Sequence, residues 1–152
     1  MSGDKKNWVD RRLDLVDQIE RDSPGLWNDL LLSIEDALQS YVKRCPHNPL
    51  RLVSHERVNG TSFRVSFEKG NQAHTIQRPV LVVRLSRRVV EFTWSDQGFG
   101  KDGYFLIEAR SGEDTVLSHE KGTCSPDQAS EIILSAALFE EGSAIVGTEA
   151  VF

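Results

Sequence analysis

Arg51, His55, Arg57 and Arg64 crowd one stretch of the chain, and Arg84, Arg87 and Arg88 follow it closely. Guanidinium groups shown on one surface hold carboxylates or phosphates through paired hydrogen bonds. The chemistry on offer is therefore binding rather than bond-making. A second pattern, Gly98-Phe99-Gly100-Lys101-Asp102-Gly103, matches G-x-G-x-x-G. In a dinucleotide-binding fold that motif opens a helix, whose N-terminus meets the pyrophosphate. Here the extended run Tyr104-Phe105-Leu106-Ile107 follows, so the segment reads as a flexible connection between strands. A kinase phosphate loop does sit between strands, with Lys121 placed to imitate its lysine, but no His-Arg-Asp or Asp-Phe-Gly exists in the chain.

Other reactive residues are scattered. His47, His55, His74 and His119 lack the close spacing that brings two imidazoles to one metal. Cys45 and Cys124 form no knuckle or redox pair and read as two reduced thiols. Ser40-Tyr41-Val42-Lys43 matches S-x-x-K without its companion motifs. No catalytic constellation emerges, and no cofactor or metal is called for.

The elements that must position these residues fall into two kinds. Val9, Leu13, Val16 and Ile19 recur at helical spacing. Ser23-Pro24 reads as a new start, serine as N-cap and proline at the first helical position. Trp27, Leu30, Leu31, Ile34, Leu38, Tyr41 and Val42 then form a second stripe, ending at Lys43-Arg44 before Pro46. From Leu50 the pattern turns to strands. Asn59-Gly60 predicts a hairpin with a type I′ turn, pairing Val58 with Thr61, His55 with Arg64 and Leu52 with Phe67. That register buries Leu52, Phe63, Val65 and Phe67 and places Arg51, His55, Arg57, Arg64 and Glu68 on the wet face.

A second strand pair spans 79–94 with its turn near Ser86-Arg87. It buries Leu81, Val83, Leu85, Val90, Phe92 and Trp94 and turns Val80, Val82, Arg84, Val89, Glu91 and Thr93 outward. Three valines are more than a fully solvated face normally shows. A third pair covers 104–110 and 115–119, and Ser125-Pro126-Asp127-Gln128 is a capping box opening a last helix. Trp8, Trp27 and Trp94 are expected in the core or between helices. The expected fold is one α+β domain over residues 1–152: two N-terminal helices, an antiparallel meander of about six strands, and one C-terminal helix packed on one face of the sheet. Residues 1–7 are expected outside the folded part, and 143–152 form a mildly apolar tail.

The 152 residues are 39% hydrophobic and 27% charged, with 12 aromatics, which excludes a wholly disordered chain. The net charge of −5 conceals a basic middle, since residues 50–95 carry 8 basic and 3 acidic groups while 96–152 carry 3 and 11. The acidic balance, and aromatics pointing to the core rather than standing beside the arginines, argue against nucleic acid. No apolar run is long enough for a membrane span, and the N-terminus has no secretory signal, so a cytoplasmic location is expected. The leading expectation is a non-enzymatic protein-interaction module, homo-oligomeric or part of a complex. Arg51, His55, Arg57, Arg64, Val82, Arg84 and Arg88 are its candidate contact residues. The alternative is a binder of a small anionic or apolar ligand, conceivably an enzyme, with a cavity between sheet and helices lined by Trp27, Phe92 or Trp94.

Overall fold

Where two helices were expected, one forms. In the computed structural model, which describes residues 6–70, 75–120 and 122–139, helix α1 runs unbroken from Trp8 to Arg44 with Pro24 inside it. An internal proline costs a helix about 3 kcal/mol. Against that, Ile19, Ser23, Trp27, Leu30, Leu31, Ile34, Leu38 and Tyr41 make one buried stripe that crosses the proline, and a break would pull Ile19 and Ser23 off the core. Ser23 does not cap; its buried hydroxyl donates to the Ile19 carbonyl at 2.6 Å. The cap lies earlier, at Asn7, whose side chain accepts from the Asp10 N–H at 2.9 Å while the Asp10 carboxylate accepts from the Asn7 N–H at 3.4 Å.

Eight strands follow: β1 (Leu50–Asn59), β2 (Ser62–Gly70), β3 (Ile76–Gln77), β4 (Val80–Ser86), β5 (Val89–Trp94), β6 (Gly103–Glu108), β7 (Val116–His119) and β8 (Gly122–Cys124). They form one antiparallel sheet in the order β1-β2-β4-β5-β6-β7-β8, with β3 beside β2. Helix α2 (Pro126–Phe139) closes the described chain. The strands beyond the expected six include β3 and β8, two and three residues long, too short to show an alternation. Ser125 opens α2 as its capping box predicts, trading hydrogen bonds of 2.9 and 3.1 Å with Gln128. The 143–152 tail, residues 1–5, His74 and Lys121 lie outside the described residues.

The β4–β5 pair has the expected faces, with Ser86 opposite Val89 and Leu81 opposite Trp94. Its turn sits one residue further on, at Arg87-Arg88, with Arg87 at φ 55°. The β1–β2 pair departs from expectation. Its turn is Gly60-Thr61, neither Asn59 nor Gly60 has positive φ, and the Asn59 side chain holds the turn by accepting from the Thr61 N–H at 2.8 Å. Leu52 pairs with Phe67 as expected, but the ladder slips by one at Val53, so His55 faces Val65 and Arg57 faces Phe63. A single unpaired residue exchanges the two faces of everything beyond it.

Both helices pack on the same side of the sheet. Trp27, Leu30, Ile34 and Leu38 of α1 and Ile133, Leu134 and Leu138 of α2 join Phe63, Phe67, Leu81, Phe92, Trp94, Phe105 and Ile107 in one buried cluster. Trp8 is not part of it; at 68% exposure it stands on the first turn of α1 in solvent, with Leu13 also exposed. Trp27, Phe92 and Trp94, the residues expected to line a cavity, are each nearly inaccessible to solvent.

Candidate functional site

Helices on one side leave the other face of the sheet uncovered by any of the described residues. Strand pairing arranges that face in rows: Glu56, Arg64, Val82 and Thr93; Ser62, Arg84, Glu91 and Tyr104; Ser86, Val89, Leu106 and Ser118. Val82 and Val89 are only half-buried, Tyr104 is 57% exposed and Leu106 37%. Apolar and charged side chains therefore alternate over four neighbouring strands. Arg84 and Glu91 lie directly opposite one another, yet neither they nor Arg64 make an ion pair within 4.0 Å among the described residues.

The slip at Val53 divides the basic row that the sequence suggested. Arg51, opposite Glu68, Arg64, Val82 and Arg84 stand on the uncovered face, and Arg88 occupies the turn at its end. His55 and Arg57 turn to the helix side instead. The His55 ring lies 6.0 Å from that of Phe63. Arg57 reaches α1, donating to both Glu35 carboxylate oxygens at 3.1 and 3.3 Å and to Asn28 Oδ1 at 2.8 Å. That pairing makes Arg57 a tie between hairpin and helix. Tyr104 and Leu106 were missed as members of the face; the fully apolar run Tyr104–Ile107 carries no alternation to say which side faces water.

Two glycines of the motif lie directly over the core. A Cβ on Gly100 would come within 2.4 Å of Trp94 Nε1, and one on Gly103 within 2.5 Å of Phe92 Cζ. These two glycines let the backbone pass directly over two buried rings. The loop is fixed by Asp102, whose carboxylate accepts from the Trp94 N–H at 2.8 Å and from Gln97 Nε2 at 2.9 Å. Those donors, Gln97 first, hold the Asp102 carboxyl below its ordinary value. Gly98 donates its N–H to Asp96 at 2.9 Å. Between this loop and the Ile132–Ala137 side of α2 opens a groove of about 1270 Å³ with His119 on its wall. His119 Nδ1 and Trp94 Nε1 are buried without a hydrogen-bond partner among the described residues.

No three His, Cys, Asp or Glu side chains cluster for a metal among the described residues. Nor is any described helix long and apolar enough to cross a membrane. Comparison with protein-family models, curated proteins and solved structures finds no match to this chain.

Proposed function

We propose that this domain is a protein-interaction module whose contact surface is the uncovered sheet face. One observation carries the reading: Val82, Val89, Leu106 and Tyr104 remain accessible among Arg64, Arg84 and Glu91 on a face that neither helix shields. Apolar, aromatic and arginine side chains in one patch are the composition of interface cores. The eight-stranded sheet of the described residues presents them on a backbone already ordered by strand pairing, so the ordering cost on binding falls on the side chains.

The test compares immobilised wild type with Val82→Glu and Leu106→Glu, both on the face, and with Leu32→Glu, an exposed apolar site on α1. Circular dichroism verifies the fold of each. A discrete bound protein, whether this chain or another, that is lost with the two face variants and kept with Leu32→Glu supports the module. Binding unaffected by either face variant overturns it. A second reading rests on the groove beside α2, where His119 leaves a buried nitrogen unpartnered among the described residues. A monomer that retains a small molecule in a native mass spectrum favours that reading instead.

A further inference from the structure

We infer that the protein seated on the uncovered face is a second copy of this chain, packed sheet against sheet about a twofold axis that runs along the seam between β4 and β5. The inference rests on the interaction-module reading and names its partner. Its ground is the arrangement of charge. A face built for a strongly acidic or basic partner carries one dominant sign. This one carries both, and they are adjacent: Arg84 on β4 and Glu91 on β5 occupy the same row, and neither has an ion-pair partner among the described residues.

A surface with a cation and an anion side by side is its own complement under one kind of rotation. Two copies placed face to face are related by an axis lying in the plane between them. If that axis ran across the strands along this row, Arg84 would meet Arg84. An axis parallel to the strands and midway between β4 and β5 exchanges the two strands. It sets Arg84 of each copy over Glu91 of the other, forming two equivalent ion pairs about the axis. The same rotation sets Val82 over Thr93 of the second copy and Val89 over its Ser86, because those residues share rows. The β-branched side chains then interdigitate with partners that bring no opposing charge. Arg64 and Tyr104, on β2 and β6, lie on either side of the seam. They extend the contact outward with one long cationic and one aromatic side chain per copy.

Sedimentation equilibrium and light scattering on purified protein test this with four species: wild type, Arg84→Glu, Glu91→Arg and the double exchange. The wild type is expected to be a dimer. Each single variant places like charges together at two symmetric positions and raises the dissociation constant roughly tenfold or more. The decisive sample is an equimolar mixture of the two single variants. One copy then carries acids at both positions and the other carries arginines at both, so every contact across the axis joins an acid to a base. The mixture and the double exchange should therefore both recover the dimer. If the single variants are monomeric and neither the mixture nor the double exchange restores association, the twofold arrangement is wrong. If the wild type is monomeric but a Val82-dependent complex with a different protein exists, the second-copy inference fails and the interaction-module reading stands. A dimer indifferent to Arg84→Glu, Glu91→Arg and Val82→Glu alike sinks both.

Discussion

Replacing Gly100 by alanine adds one methyl group, and the structure says where it would go. The new Cβ would stand 2.4, 2.7 and 2.8 Å from Nε1, Cε2 and Cδ1 of Trp94, all shorter than real carbon contacts. Trp94 has no room to withdraw: it is 4% exposed and stacked on Phe67 with ring centroids 5.9 Å apart. The loop cannot simply lift either, because Asp102 ties it to the Trp94 N–H at 2.8 Å. Overpacking of this kind costs about 1–3 kcal/mol, which lowers the melting temperature of a domain this size by roughly 2–12 °C. Gly103→Ala should cost a comparable amount, since its Cβ meets Phe92 Cζ at 2.5 Å. Gly98→Ala is the internal control: its nearest neighbour is an Asp96 carboxylate oxygen at 3.1 Å on an exposed loop, which can yield. The assay is urea unfolding followed by tryptophan fluorescence, with the denaturant slope held constant across variants. If Gly100→Ala unfolds at the wild-type midpoint, the glycines do not serve the core and the packing explanation of the motif is wrong.

Three further outcomes follow from local chemistry. Pro24→Ala removes a penalty of about 3 kcal/mol, set against about 1 kcal/mol of regained unfolded-chain freedom, and should stabilise the protein by roughly 2 kcal/mol. Gly25→Ala, with nothing within 4 Å of its Cβ position, should add about 0.5–1 kcal/mol. A lowered urea midpoint in either would show that α1 needs its Pro24-Gly25 step. Asp102 supplies a pH dependence: its folded carboxyl lies below the ordinary 3.8, so its contribution is full above that value and is lost as pH falls below it and through the lower folded-state value. Asp22, which accepts from the Thr115 hydroxyl at 2.7 Å, adds to the same acid limb with the same sign. Asp102→Asn should flatten the fall in stability below pH 3.8, and an unchanged acid slope would contradict its role as the loop's acceptor.

What could be read ahead of the structure depended on how local its cause was. The β4–β5 faces were legible because strict alternation on both strands meets a short turn, leaving one consistent register. The α2 start was legible because its cap is four consecutive residues. The β1–β2 register was not, because a bulge at Val53 has no signature of its own among Leu52, Val53 and Ser54; past it Arg57 pairs with Glu35 and Asn28 of α1, which lie outside the hairpin. Ser23-Pro24 misled for the same reason, its local signal being overruled by a stripe that both halves of α1 bury together. Of the candidate contact residues, Arg51, Arg64, Val82 and Arg84 share the uncovered face. His55 and Arg57 were lost to it by that one slipped residue.

Helix α1 fastens to both ends of the sheet, and this bears on the order in which the chain comes together. Near its start, Gln18 donates to the Glu113 carbonyl and to Thr115, 95 and 97 residues away in sequence; further along, Glu35 holds Arg57 only 22 residues away. Closing the longer loop carries the larger entropic penalty. The β1–β2 and β4–β5 hairpins and the Arg57 tie are local and can form early, whereas the N-terminal half of α1 must wait for β6 and β7 before it has anything to grip. On a ribosome, then, the N-terminal half of α1, made before the sheet, would be among the last parts of this domain to be secured.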